Sequence, residues 1–409
     1  MDAGVDPLEL APNGTTALDW AIGAENTHVA QLMLERGIDP TSENPALKEA
    51  YHWAVRAPNL DAVRLLAKHG VDINTRDEMG WTPLQILIVK GFRIEDIEWV
   101  LQHGADVNAT NDAGRNALHV ATGYDRVGVM RLLLKYGADI DARDKDGRTA
   151  LHASSMLNYR DAMQCLIDNG ADIEAQQPDS GRRAIHHAAL GGDIDTFKVL
   201  VAGGADIEAE QHGGRRALHH ALVQKHESLV RYLLDLGADV DAQDDEDHTP
   251  VHLAANYGPL NVLDLLVERK AEIDVRHQTG WTALHFASST GENEAVSRLL
   301  DLGIDINARC NFGGTPLWVA ARNDQASTVR LLLSRGADAE ISAGGLGGVD
   351  AWTPLFMASS RGHDRVVEVL LEHGVNVNAL SSDGRTALDQ AVQNGHERVA
   401  SLLLDNMTM

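Results

Sequence analysis

Cysteine is scarce: among 409 residues there are only Cys165 and Cys310, far apart and in no Cys-x-x-Cys arrangement. That excludes a thiolate zinc knuckle and a disulfide framework, and a reducing compartment is the natural reading. Aromatic residues make up only 4% of a chain that is 44% hydrophobic, so its core must be built of Leu, Ala, Val and Ile, as in closely packed small helices. Basic residues are few, 35 against 60 acidic ones, for a formal net charge of -25. Such a balance disfavours nucleic acid, where Lys and Arg must displace counterions, and acidic membrane surfaces for the same reason. No stretch approaches the roughly 20 consecutive apolar residues of a membrane span. Met1 to Ala11 carries Asp2, Asp6 and Glu9 and no apolar run, which fits neither a signal nor a transit peptide. The expectation is a soluble, cytoplasmic chain, with the nucleus as the alternative.

What the chain has in quantity is glycine at a fixed interval. Gly37, Gly70, Gly104, Gly137, Gly170, Gly204, Gly237, Gly303, Gly336 and Gly374 each follow a Leu-rich segment, almost always 33 or 34 residues apart. Lys270 stands where one glycine should be, and an insertion lengthens the step to Gly374. Each period repeats one local chemistry. In Thr249-Pro250-Val251-His252-Leu253-Ala254-Ala255 a Thr can cap a helix and Pro suits its first turn, and Thr82-Pro83, Thr315-Pro316 and Thr353-Pro354 repeat the signal. A second helix follows, with Val329, Leu332 and Leu333 at i, i+3, i+4 spacing, and Gly336 closes it as a left-handed cap requires. Segments such as Gly137 to Ala142 and the turn Asp144 to Gly147 form an extended finger leading into the next unit.

This period and its Thr-Pro-x-His-x-Ala motif resemble the ankyrin repeat. The resemblance implies an all-α solenoid of stacked units, each helix, turn, helix and finger. Starting positions at Gly14, Ala46, Gly80, Gly114, Gly147, Gly181, Gly214, Asp247, Gly280, Gly314, Ala351 and Gly384 mark about twelve units over residues 14–409. Residues 1–13 read as the remnant of a preceding repeat, which would make the chain a piece of a longer protein. The second unit is degenerate around Ala46 to Ala50, and a Gly-rich insertion at 340–350 reads as an extended finger rather than a phosphate loop, lacking a Lys and a preceding strand.

In the family the His of the motif is structural, which covers His52, His119, His152, His186, His219, His252 and His285 among 19 histidines. Two neighbouring units depart together, Gly181-Arg182-Arg183-Ala184-Ile185-His186-His187 and Gly214-Arg215-Arg216-Ala217-Leu218-His219-His220. Neither pair has nearby thiolates or carboxylates at ligand spacing, so no metal and no cofactor is expected. The residue after the turn glycine should project toward the binding side, a series that runs Arg115, Arg148, Arg182, Arg215, His248, Trp281, Thr315, Trp352 and Arg385. The ends of the first helices should line the concave face, with Tyr124, Met156, Leu157, Leu190, Val223 and Tyr257 making its centre apolar. An apolar centre edged by Arg has the composition of an interface hot region. An ordinary surface explanation also stands, with the arginines balanced by Asp112, Asp144, Asp146 and Asp179.

The implied function is a non-catalytic scaffold that binds a protein or peptide, acidic or phosphorylated, through Arg115, Arg148, Arg182, Arg215, Trp281 and those apolar residues. Two competing readings are an enzyme or small-anion binder centred on the Arg/His pairs at 182–187 and 215–220, and the sensor portion of a larger protein. No nucleophile, base and orienting group occur together to favour the first.

Overall fold

The computed structural model describes residues 16–24, 26–36, 51–52, 54–56, 59–344 and 351–407. The remnant at 1–13, Gly14, Gly37, the boundary at Ala46 to Ala50 and residues 345–350 of the extended finger lie outside them. The fold is an all-α solenoid in two compact units, Met1–Asp206 and Ile207–Met409. Within each unit a first helix packs against its own second helix and against the first helix of the next repeat.

Local chemistry explains why the elements start and stop where they do. The helix Pro83–Val89 opens with Thr82 in extended conformation, its hydroxyl accepting the Gln85 N–H, and with Pro at the first position. Thr315 and Thr353 cap Pro316–Arg322 and Pro354–Arg361 in the same way. At the other end of each repeat, Gly70, Gly104, Gly137, Gly170, Gly204, Gly237, Gly303, Gly336 and Gly374 all have φ between +80° and +95°, where a Cβ would meet its own carbonyl. Lys270 adopts the same conformation at φ +66° without being glycine.

Helix faces alternate between core and solvent at the helical period. In the first unit Leu118, Met130 and Leu133 are fully buried, and in the second Leu263, Leu266, Leu299 and Leu332. Each such side chain contributes about 1.5–3 kcal/mol by leaving water, and because it does so against a neighbouring repeat, stability is shared between adjacent units. Some of the acidic residues also have a structural role. Asp139 N–H donates to Asn108 Oδ1 at 2.8 Å, Asp172 N–H to Asp141 Oδ1 at 2.9 Å, Asp239 N–H to Glu208 Oε1 at 3.0 Å and Glu272 N–H to Asp241 Oδ1 at 2.9 Å. In these repeats a carboxylate or amide side chain of one finger thus captures a backbone N–H of the next repeat.

Two sequence expectations change. The finger turn in the tenth repeat uses Gly313, at φ +84°, and Cys310 N–H donates to the Gly314 carbonyl at 2.9 Å. Gly314, not Thr315, therefore holds the finger position, and Thr315 is a helix cap. The extended finger, read from the sequence as having no preceding strand, does have one: Ala343–Gly344 pairs antiparallel with Ala351–Trp352, in register Ala343 to Trp352 and Gly344 to Ala351.

Candidate protein-binding surface

The motif histidines form a repeated joint. In His152 the Nδ1 accepts the Thr149 N–H at 3.2 Å, so Nε2 carries the proton and donates to the Arg182 carbonyl at 3.1 Å, on the next finger. His252 and His285 repeat this with Val275 O at 2.9 Å and Gly314 O at 3.1 Å, and His119 reaches Arg148 O at 3.0 Å. Burial holds His119, His152 and His219 below the ordinary histidine value, and His252 and His285 down to about 4, so these rings are neutral and sealed. Two apparent departures keep the bond. Gln85 Nε2 donates to Arg115 O at 2.8 Å, and Trp318 Nε1 to Trp352 O at 3.0 Å.

The doubled Arg and His residues are likewise engaged. His187 and His220 are buried, and each donates from Nε2 to a finger glutamine, Gln177 Oε1 at 2.6 Å and Gln211 Oε1 at 2.9 Å respectively. Arg183 stands 2.9 Å from Glu174. Arg216 is enclosed by Glu208 at 2.6 Å, Glu210 at 3.0 Å and Asp239 at 3.4 Å. These carboxylates already neutralise the cations on which a small-anion site would depend.

The finger arginines are paired as well, Arg115 and Arg215 with the following finger and Arg148 with its own. In the first unit Arg115 Nε lies 3.5 Å from Asp144 Oδ2 and Arg148 3.0 Å from Asp146, while Arg182 also has bonding partners. In the second unit Arg215 Nε donates to Asp244 at 3.1 Å. Trp281 stacks on His285 at 6.0 Å between centroids and meets Phe286 edge-on at 5.0 Å. It packs against the cluster of Trp318, Val319, Ala343 and Met357, so part of its surface is spent inside the fold.

Among the apolar residues expected to line a binding face, Tyr124 is 53% exposed, Met156 44% and Leu157 46%, all at or just beyond the C-terminal ends of the adjoining helices Ala117–Gly123 and Ala150–Leu157. Leu190 is half-buried and has partners of its own. In the second unit Tyr257 is 40% exposed and Val223 half-buried. Tyr124, Met156 and Leu157 are thus the most exposed of the expected apolar residues, and Arg115 and Arg148 lie on the fingers that lead into the same two helices. Burying such residues at an interface is favourable because they leave water, whereas isolated exposed apolar residues call for no explanation.

One grouping escaped the sequence reading. Among the described residues, Glu246, His248 and His277 bring one ligand atom each to within 4.8 Å of one another. The signal available in the letters was that His277 replaces the Asp or Asn found at the same turn position as Asp77, Asn111, Asp144 and Asp244.

Among the described residues no helix is long and apolar enough to cross a membrane. The family model described as ankyrin repeats (3 copies) matches residues 42–111, 93–177, 174–244, 251–343 and 343–408, and that of the single ankyrin repeat matches 13–45. A search of curated proteins produced no match.

Proposed function

For a chain that belongs to the ankyrin repeat family, a family of protein-binding modules, we propose a non-catalytic scaffold that holds a protein segment against the first-helix ends of its first unit. The observation that carries the reading is the exposure of Tyr124, Met156 and Leu157, at the ends of two adjoining helices whose Leu118, Val120 and Leu151 are sealed. Around them Arg115 and Arg148 present side chains that are 50% and 31% exposed, anchored by Asp144 and Asp146. An arginine held by a carboxylate is pre-organised, and it can share a second acidic or phosphorylated group at the rim of an interface without being immobilised anew. In the proposed arrangement the apolar trio supplies affinity, and the arginines with Arg182 favour an acidic or phosphorylated partner. Leu190 extends the same face.

Arg215, Val223, Tyr257 and Trp281 are the equivalent candidates on the second unit. Site-specific photo-crosslinking tests the assignment. A photoreactive residue at Tyr124 or Met156 should capture the partner, whereas one at the exposed second-helix residue Gln164 should not. Equal capture from both positions would remove the case for this face.

A further inference from the structure

We propose that Glu246, His248 and His277 bind one divalent transition-metal ion, zinc in the first instance, which ties the finger of one repeat to the finger of the next. The starting point is an unpaired nitrogen. Four comparable fingers, at Asp77, Asn111, Asp144 and Asp244, begin with a side-chain oxygen that gathers backbone N–H groups: Asp144 Oδ1, for one, accepts from Asp146 and Arg148, and Asn111 Oδ1 from Ala113 and Arg115. At 277 the imidazole takes over only part of that work. Its Nδ1 lies 2.9 Å from Thr279 Oγ1 and 3.2 Å from Thr279 N. Nε2 is left over, sealed from solvent in a residue only 8% exposed and without a hydrogen-bond partner. A buried polar atom left unpaired costs about 1–3 kcal/mol, so a ligand on Nε2 would relieve a standing penalty. In the unligated ring Nδ1 accepts the Thr279 N–H, so Nε2 carries the proton; an ion would select the other tautomer, with Nδ1–H donated to Thr279 Oγ1 and the Nε2 lone pair given to the metal, the arrangement in which a histidine normally ligates.

The partners of that lone pair stand on the preceding finger. The His248 and His277 rings lie 4.3 Å apart between centroids. His248 Nδ1 is 3.2 Å from both Asp244 oxygens and 3.5 Å from Glu246 Oε2. Asp244 is itself pinned: its Oδ1 accepts the N–H groups of Glu246 and His248, and its Oδ2 accepts from Arg215. A carboxylate fixed in this way orients the imidazole beside it, which is the usual support behind a metal-bound histidine. The three donor atoms lie within 4.8 Å of one another, whereas bonds of about 2.0–2.2 Å in a tetrahedron place donors roughly 3.3 Å apart. Glu246 is 62% exposed on its side chain and His248 14%, so the contraction can come from the Glu246 rotamer. Two imidazoles and a carboxylate suit zinc and its neighbours rather than calcium or magnesium, and three protein ligands leave a fourth place for water. The run Asp244-Asp245-Glu246-Asp247 adds a local negative field that favours a cation. The role assigned is a cross-link between fingers.

The test uses the full chain, stripped with chelator, titrated with Zn2+ against a chromophoric competitor and separately loaded with Co2+. The expected result is one ion per chain, a cobalt spectrum of tetrahedral type, and a thermal midpoint raised by zinc, since an ion that binds only the folded state stabilises it. Glu246→Gln and His277→Asn should each weaken zinc binding at least tenfold and abolish the zinc-dependent shift. Asn occupies the same turn position at 111, so the second variant keeps the turn. If it nevertheless loses its helical spectrum, Glu246→Gln at an exposed side chain decides the matter alone. Absence of stoichiometric zinc on the wild-type chain, or wild-type affinity in the folded variants, would overturn the proposal, the latter by placing the ion among the other histidines.

Discussion

His187 and Gln177 are bonded to one another at 2.6 Å inside the first unit, both buried, where the neighbouring repeat has Asp144 and the apolar Ala153 at these two positions. Neither residue makes sense alone. A glutamine in place of Asp at the start of a finger projects its amide inward, and a leucine at 187 would leave that carbonyl oxygen without a donor. Changing His187 to Leu should therefore destabilise the fold by about 1–3 kcal/mol, the cost of an unpaired buried polar group. Adding Gln177→Ala to that variant should recover part of the loss, which a double-mutant cycle in urea measures as a coupling of about 1 kcal/mol or more. Strict additivity would show that the bond is incidental.

Acidification should unfold the protein in a window set by its buried histidines. Burial depresses His252 and His285 to about 4 and His187 to about 3 in the folded state, against about 6.5 in an unfolded chain. Above pH 6.5 both states are neutral there and stability is indifferent to pH. As pH falls below that value the unfolded state takes up protons that the folded state refuses, and stability declines until roughly pH 4, where the folded rings begin to titrate as well. Each such histidine contributes up to about 1.4 kcal/mol per pH unit. Urea midpoints at pH 7.5 and 5.0 should differ clearly, and carboxylates with ordinary values near 4 remain mostly ionised across that interval. Coincident midpoints would contradict the buried-neutral assignment.

Lys270 occupies a left-handed backbone position, at φ +66°, that neighbouring repeats give to glycine. The side chain is exposed, so nothing in the core depends on it. Lys270→Gly should raise stability by roughly 1 kcal/mol, and Gly237→Lys, at φ +90°, should lower it by a similar amount or more. Thermal or urea denaturation of the two variants reads both signs directly.

The period, the helix caps, the left-handed glycines and the burial of the motif histidines were legible because each is a local rule written in adjacent letters. Other features were not, and the reasons differ. Gly313 and Gly314 are the same letter, so only the backbone angle decides which one makes the turn, and Thr315 was consequently read one place out of register. Gln85 and Trp318 look like losses of the motif histidine, yet each supplies the donor that the next finger requires. Composition counts residue types, whereas the joint needs an N–H at a certain reach. The meeting of His248 with His277 depends on two fingers lying side by side, which a scan for ligand spacing along the chain does not register. Asp144 and Asp146 were already legible as carboxylates balancing the arginines, but that Arg115 and Arg215 each reach a carboxylate on the following finger emerges only from the fold.

The central claim, that a protein partner seats on the first-helix ends of the first unit, is tested most directly by binding kinetics of two folded variants with the crosslinked partner. Met156→Ala combined with Leu157→Ala should speed dissociation at least tenfold and leave association nearly unchanged, because desolvated apolar contacts form after encounter. Arg115→Glu combined with Arg148→Glu should slow association and flatten its dependence on salt. Wild-type rate constants for both variants, with helical spectra intact, would contradict the account.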